Sequence, residues 1–252
     1  MELFIHLPVI YNEIKAPHNI TTIFSNFSGK NSIIQRLLKA GIKNPKDYIT
    51  FHSLRNHSML NGFPVTELIY VHSKLMIIDD KTVIVGSANI NDRSMIGTRD
   101  SEVDVIITDE SFDDGKMNGQ TYPCGHFAGQ LRKYLFREHL GLLDSGDCGI
   151  DITDPTIESF YKDVWQQTSQ QNSTLFEEIF RCIPSNSIKT LADFKKYNQG
   201  PALCRTNLRE ALKKLKEIDG FLVDYPLEFL SNEILTPPPT SKEGFMPTSL
   251  WT

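Results

Sequence analysis

The stretch that decides the fold is Tyr70-Val71-His72-Ser73-Lys74-Leu75-Met76-Ile77-Ile78-Asp79, followed by Val83-Ile84-Val85-Gly86-Ser87-Ala88-Asn89. Both runs are short, apolar and rich in β-branched residues, which predicts two neighbouring strands. Side chains two residues apart on a strand share a face, so His72 and Lys74 should project together, and Val71, Ser73 and Leu75 should point the other way. The first run therefore predicts an imidazole and an ammonium in one pocket.

The second run predicts polar groups beside that pair. Gly86 allows the backbone to turn and to approach a ligand closely, and the hydroxyl of Ser87 and the amide of Asn89 follow it. A cation and neutral donors can stabilise charge on the oxygens of a phosphodiester, while an imidazole attacks phosphorus or moves a proton. The pattern indicates phosphodiester chemistry, which by this logic requires no metal.

The spacing His-x-Lys-x4-Asp-x6-Gly-Ser-x-Asn is far from random. Its first part alone would arise by chance in about a few cases per hundred chains of this length, and the Gly-Ser-x-Asn part lowers that by roughly a thousandfold. The other histidines lack a lysine two residues on, and we interpret them as structural or solvated. They are His6, His18, His52, His57, His126 and His139.

Residues 1 to 110 alternate apolar runs with amphipathic stretches, which predicts an α/β domain with a mixed sheet flanked by helices. A helix is expected between Ser32 and Gly41, with Ile33, Ile34, Leu37 and Leu38 buried, so that the first two strands and this helix form one βαβ unit. The predicted strands are Leu3–Val9, Tyr48–His52, Leu68–Ile78, Thr82–Val85 and Val103–Ile107.

After Thr108 the pattern is typical of helices separated by polar loops, which predicts a helical extension. Within it, Ser173 is expected to cap a helix that begins there and ends before Pro184. From Thr236 onward the three consecutive prolines predict an extended tail, whose terminal Trp251 is expected to pack against the protein.

Composition excludes several classes of protein. The 252 residues are 40% hydrophobic and 23% charged, as in an ordinary globular domain. Four cysteines without a Cys-x-x-Cys spacing argue against a zinc cage or a disulfide scaffold, and no run of about 18 apolar residues is present. A net charge of -5 disfavours nucleic acid as a partner, so positive charge for an anionic substrate must be local. Because the chain opens directly on an apolar strand, we expect the natural protein to continue upstream.

Several stretches resemble the phospholipase D superfamily. Those similar to the second motif region of animal and plant phosphatidylcholine-specific enzymes are Thr66–Lys74, Gly86–Met95 and Arg99–Glu102. Those similar to the animal branch are Arg181–Pro184, Gly220–Val223 and Trp251-Thr252. The resemblance implies a second catalytic repeat over residues 1–110 with its motif at 72–89, a helical part of the same domain over 111–236, and a tail over 237–252.

The resemblance also implies a two-step reaction between two histidines from two motifs. The first motif supplies the nucleophile, which forms a phosphohistidine, and the second, here His72, protonates the leaving choline and then activates water. Lys74 and Asn89 would hold the phosphate oxygens, with Ser87 as a helper. Asp79 completes the motif, although in the family it is more structural than catalytic.

Glu102 is a further site candidate by this resemblance. In these enzymes an acid downstream of the second motif orients the histidine of the opposing motif and stabilises its imidazolium. The alternative is an ordinary surface carboxylate. The expected catalytic set is therefore His72, Lys74, Asp79, Ser87, Asn89 and Glu102, without a bound metal or cofactor.

The chain departs from the family in carrying a single motif and no N-terminal lipid-targeting domains. The leading hypothesis is a half of a phospholipase D that is active only with its missing N-terminal half. The alternatives are a homodimeric single-motif phosphodiesterase and an inactive isoform or partial gene product that competes for partners. For the full-length enzyme the resemblance implies phospholipid at a membrane surface as substrate, phosphoinositide activation, small GTPases and kinases as partners, and a cytoplasmic, peripheral membrane location.

Overall fold

The computed structural model describes residues 3–6, by their backbone alone, together with residues 32–144 and 149–233. The described strands form three sheets, one of them mixed and two antiparallel. The strands are β1 (Leu3–His6), β2 (Ile49–Leu60), β3 (Phe63–Ile69), β4 (Lys74–Ile78), β5 (Thr82–Gly86), β6 (Asp104–Thr108), β7 (Phe112–Met117), β8 (Gln120–Gly125) and β9 (Leu222–Asp224).

Helices cover the C-terminal part and fill two of the earlier connections. They are α1 (Ile33–Lys39), α2 (Asp92–Met95), α3 (His126–His139), α4 (Glu158–Phe160), α5 (Gln167–Phe180), α6 (Leu191–Gln199), α7 (Leu203–Thr206) and α8 (Leu208–Leu215). A π-helical segment, Tyr161–Gln166, joins α4 to α5. The predicted class, a mixed α/β fold flanked by helices, is confirmed.

The first sheet is built on β2. β1 runs parallel to β2, and β3 and β9 pair with it in the antiparallel sense. Because α1 lies between the two parallel strands, the predicted βαβ unit is confirmed.

The helix predicted between Ser32 and Gly41 spans Ile33–Lys39. The Ser32 hydroxyl accepts a hydrogen bond from the Gln35 N–H at 3.2 Å, as expected of a cap. The predicted buried face is only half right, because Ile34 and Leu37 pack on the core while Ile33 and Leu38 remain exposed.

The second sheet, β4-β5-β6, carries the motif. The prediction of one strand over Leu68–Ile78 is wrong, because β3 ends at Ile69 and β4 begins at Lys74. The physical reason is a change of partner: β3 pairs with β2, whereas β4 pairs with β5. The segment Tyr70–Ser73 crosses between the two sheets and belongs to neither.

The region after Thr108 is not uniformly helical. It begins with the hairpin β7–β8, whose two-residue turn is Asn118–Gly119, with φ of 51° and 76°. Two positive φ values in succession favour Asn and Gly, and they match the twist of the flanking strands. The hairpin precedes the predicted helices, which start at His126.

The helix predicted to start at Ser173 starts earlier. Ser173 lies inside α5, where its hydroxyl donates to the Ser169 carbonyl at 2.7 Å and accepts from the Asp224 N–H at 2.8 Å. A serine in mid-helix can bond back to the preceding turn, and a sequence pattern does not distinguish this from a cap. Here the serine ties α5 to β9.

The C-terminal part packs directly on the first sheet. β9 extends that sheet beside β2, and a single buried cluster combines residues of β2, α3, the π-helical segment and β9. The cluster consists of Leu54, Phe136, Leu140, Leu142, Ile152, Phe160, Trp165 and Leu222. The apolar contacts between these elements hold them together around one core.

The predicted tail over 237–252, including Trp251, lies outside the described residues, as do 7–31. Among the helices that the structure describes, none combines the length and apolarity needed to cross a bilayer.

Candidate active site

One end of the second sheet gathers the predicted residues except Asp79. Lys74 opens β4 and pairs with Gly86 at the end of β5, and Gly86 pairs in turn with Asp104 at the start of β6. Three connections therefore meet at this edge: the segment before Lys74, the loop after Gly86 and the segment before Asp104.

His72 and Lys74 meet here, as predicted. The Lys74 Nζ lies 3.2 Å from the His72 Nε2 and donates a hydrogen bond to the His72 carbonyl at 2.6 Å. The imidazole is exposed and the lysine half-buried. The alternate residues Val71 and Ser73 face the other way, where they line a cavity of about 680 Å³. The alternation of an extended chain therefore holds although His72 itself lies outside any strand.

Tyr70 is a neighbour that the motif analysis missed. Its ring stacks on the imidazole of His72, with ring centroids 5.9 Å apart and an interplanar angle of 22°. The signal was present, because Tyr70 precedes His72 by two residues and an extended chain places them on one side. The stack limits the orientations open to the imidazole.

Ser87 and Glu102 form the second half of the cluster. The Ser87 hydroxyl donates to the Glu102 carboxylate at 2.6 Å and accepts from the Val103 N–H at 3.0 Å. The Ser87 hydrogen bond is the largest cause of a lowered pKa at Glu102, with the Ser94 hydroxyl next and a smaller effect of the Lys74 charge. Glu102 is therefore an ionised acceptor at neutral pH.

This contact predicts a pH-dependent stability. A carboxyl whose pKa is lower in the folded chain stabilises it above the unfolded pKa and loses that effect as pH falls through the folded value. We expect the melting temperature of Ser87→Ala to lie below that of the wild type at pH 7. The gap should narrow as the pH falls below the ordinary glutamate pKa of about 4.3 toward the lower pKa of the folded carboxyl. Thermal melts across pH check this, and an equal gap at pH 3 and pH 7 would contradict it.

Gly86 occupies a position that no larger residue fits. A Cβ there would overlap the Val103 carbonyl and the backbone of Asp104. The absence of a side chain lets β5 and β6 approach at the point where Ser87 leaves the sheet.

We expect Gly86→Ala to destabilise the chain by about 1–3 kcal/mol, because the methyl group must push the two backbones apart. Urea unfolding, followed by circular dichroism, measures this. The Ser87–Glu102 contact should be lost as well, so the pH dependence described above should flatten in the variant. Wild-type stability in Gly86→Ala would show that this end of the sheet is looser than described.

Asn89 lies on the same loop but is not joined to the pair. It is half-buried, its carbonyl accepts from the Asn91 N–H at 2.9 Å, and its amide makes no hydrogen bond to His72 or Lys74. The loop beyond is braced by an ion pair between Arg93 and Asp100 at 3.0 Å. The predicted role of Asn89 in phosphate binding therefore stays a prediction.

The structure does not bring Asp79 to the cluster. It follows the far end of β4, about 16 Å from Lys74 at the rise of a strand, and its side chain is exposed. The motif spacing had placed it among the site residues, but the length of β4 separates it from them. Its φ of 50° and the hydrogen bond from the Tyr122 hydroxyl to its carbonyl at 3.0 Å indicate a role in the turn.

The next residue, Asp80, carries the buried interaction that sequence reasoning missed. Its carboxylate accepts from the Arg132 Nε and Nη2 at 2.7 to 3.0 Å, and both side chains are almost fully buried. Arg132 also donates to the carbonyls of Ile152 and Thr153. The pair fixes α3 to the turn after β4, and the bonds from Arg132 attach the loop that contains Ile152 and Thr153. No short-range pattern connects residues 52 apart in the sequence.

The other histidines with described side chains have structural or surface settings. His57 is half-buried, with its ring centroid 6.1 Å from that of Phe176. His52 and His139 are buried beside the Trp165 ring, and His126 is exposed with its Nδ1 2.9 Å from Asp113. In the described ranges, no group of three His, Cys, Asp or Glu side chains converges as a metal site would require.

Comparison with known proteins adds independent findings. A family model for phospholipase D matches residues 65–186. The chain is 46% identical over 225 residues to Phospholipase D1 of Homo sapiens and 43% identical over 224 residues to Phospholipase D2 of Bos taurus, 89% of its length in each case. It is 35% identical over 239 residues to Phospholipase D zeta 1 of Arabidopsis thaliana. It spans only 21%, 24% and 21% of the lengths of these relatives, respectively.

Proposed function

Because the chain belongs to the phospholipase D family, we propose that it supplies one half of a phosphodiesterase active site, which hydrolyses phosphatidylcholine when a first motif faces it. The observation that carries this proposal is the contact between the Lys74 ammonium and the His72 imidazole at an open sheet edge. A phosphate oxygen brought to this edge can accept from the ammonium, while the imidazole lies within reach of the leaving oxygen.

The proposed reaction assigns two proton transfers to His72. A histidine of the first motif attacks phosphorus, and the bond to the choline oxygen breaks as that oxygen takes a proton from the His72 imidazolium. The now neutral His72 then removes a proton from water, whose oxygen attacks phosphorus and displaces the first histidine. The products are choline and phosphatidic acid, and His72 is again protonated.

The other site residues support these steps. Lys74 neutralises charge on the phosphate oxygens, with Asn89 as a second donor and Ser87 as a helper that also positions Glu102. We propose that the ionised Glu102 orients the histidine of the first motif from across the site. Asp79 acts through the turn after β4 rather than at phosphorus.

The apolar side chains near the site support the proposal that a second protein half binds there. Exposed apolar side chains lie between Ser87 and β6 and along β6 itself, an edge strand of its sheet. They are Ile90, Met95, Ile96, Val103, Val105 and Ile106. Large exposed apolar side chains concentrated in one region are typical of a protein interface, and we propose that the half with the first motif covers those beside the site.

The assembled enzyme is proposed to work at a membrane surface on the cytoplasmic side, without a metal or organic cofactor. Phosphoinositide activation and regulation by small GTPases and kinases are proposed for the full-length protein by family similarity alone. We also propose that residues 1–110 form the catalytic repeat and 111–236 the remainder of one domain. The pairing of β9 with β2 across that division supports the last point.

Co-expression tests the proposal. The purified chain alone should release no choline from phosphatidylcholine, whereas the chain paired with the N-terminal catalytic half of a related phospholipase D should do so. Turnover by the chain alone, dependent on His72, would favour the homodimeric alternative, in which a second copy of His72 supplies the nucleophile. Stable pairing without turnover would favour the inactive competitor.

A further inference from the structure

The distal part of the β2–β3 hairpin forms a two-stranded ribbon. β1 covers β2 only at Ile49–His52 and β9 only at His52–Leu54, and the Arg55 N–H still donates to the Phe221 carbonyl at 2.8 Å. From Asn56 to Leu60 the described partner of β2 is therefore β3 alone. These five residues extend the ribbon by about 17 Å. It ends in the turn Asn61–Gly62, with φ of 52° and 81°.

Large apolar side chains are exposed around this turn. Leu60 and Phe63 are cross-strand partners next to it, with exposed fractions of 60% and 48%, and Met59 is 49% exposed. Pro64, which faces Met59 across the ribbon, is fully buried, whereas Met59 on that face and Leu60 and Phe63 on the other face reach solvent. Met59, Leu60 and Phe63 together are called the apolar tip.

The charge pattern of the ribbon is unusual for this chain. Residues 56–66 contain no Asp, Glu, Lys or Arg, although 23% of the whole chain is charged. A cation lies beside the apolar tip: the Arg205 guanidinium is 5.7 Å from the centroid of the Phe63 ring. Arg205 makes no ion pair with any described carboxylate. An uncharged apolar projection therefore stands beside an available cation.

We propose that the apolar tip inserts into the interfacial region of an anionic phospholipid bilayer, with Arg205 contacting lipid phosphate. Three apolar side chains on a narrow turn can enter the boundary between headgroups and acyl chains, where aromatic residues and arginines are favoured. A protein partner would need roughly 800 Å² of surface, far more than a two-residue turn presents. The tip lies at the opposite end of β3 from His72, about 20 Å along the strand, so this binding is separate from catalysis.

Vesicle sedimentation tests the proposal on the purified 252-residue chain. The probes are vesicles of phosphatidylcholine alone and vesicles with added phosphatidylserine. Leu60→Ser with Phe63→Ser keeps the Asn61–Gly62 turn and should weaken binding to both vesicles by about tenfold or more. Arg205→Gln should weaken binding to the anionic vesicles only. Tyr134→Ser with Leu191→Ser is the matched control, because these residues have exposed fractions of 55% and 51% on other elements.

Unchanged binding of the tip variant would overturn the proposal, as would an equal loss in the control, which would indicate nonspecific adhesion. A tip variant that binds vesicles normally but no longer pairs with an N-terminal half would reassign the tip to a protein contact. In the paired enzyme, the tip variant should lose activity on vesicles yet keep its turnover of short-chain, monomeric phosphatidylcholine. Loss of both activities would instead place the tip in the catalytic assembly.

Discussion

In the paired enzyme, His72→Asn should lower the rate of choline release by at least about a hundredfold, the usual scale for loss of a positioned acid and base. Asparagine keeps a polar side chain of similar reach but cannot transfer a proton near neutral pH. Since His72 is exposed and touches Tyr70 and Lys74 rather than the core, the melting temperature should change little. Choline release under saturating substrate measures the effect.

His126→Asn is a matched control for this substitution. His126 is also exposed and also lies beside a charged side chain, Asp113, but on a different sheet edge. Its variant should retain full turnover. Near-normal release by a folded His72→Asn enzyme would remove the assignment of His72 as the proton carrier, and the similarity to the family would then no longer specify the chemistry of this site.

The position of His72 illustrates what an alternating pattern can and cannot predict. The meeting of His72 with Lys74 followed correctly from two-residue spacing, because any extended chain places such side chains on one side. The same pattern failed to reveal that the chain leaves one sheet at Ile69 and enters another at Lys74. No glycine or proline marks that crossing, and the change of partner depends on long-range pairing.

The hairpin β7–β8 was missed for a different reason. Its strands are mostly polar, so hydrophobic periodicity gave no signal, whereas the Asn118–Gly119 pair that closes them is a strong local indicator of a hairpin. Turn chemistry alone would have predicted it. The Asn61–Gly62 pair is a local indicator of the same kind for the β2–β3 hairpin.

The two consecutive aspartates after β4 show the limit of motif spacing. The spacing selects Asp79, but both residues have a φ of 50° and the fold gives them opposite environments. Asp79 is exposed, while Asp80 is buried against Arg132 on a helix far along the chain. Tertiary packing decides which of the two carboxylates is buried and stabilises the fold. The motif spacing in a single sequence does not distinguish them.

That contrast leads to the largest expected effect on stability. Asp80→Asn should reduce the free energy of unfolding by about 3–5 kcal/mol, because it leaves the Arg132 guanidinium buried without a counter-charge. Asparagine tolerates the positive φ of this turn, so backbone strain does not explain the loss. Asp79→Asn is the matched control, with the same φ and an exposed side chain, and should change stability by no more than about 0.5 kcal/mol. Urea unfolding of the chain compares the two.

A double variant distinguishes the cost of leaving one charge buried without its partner from the cost of losing side-chain contacts. Arg132→Met alone leaves the Asp80 carboxylate buried without its partner and should cost about as much as Asp80→Asn. Asp80→Asn with Arg132→Met removes both charges, so its loss should be clearly smaller than the sum of the two single losses. If the losses simply add, or if Asp80→Asn matches Asp79→Asn, the pair does not hold α3 to the turn. The packing of Phe136 and Leu140 against the core would then have to fix that helix by itself.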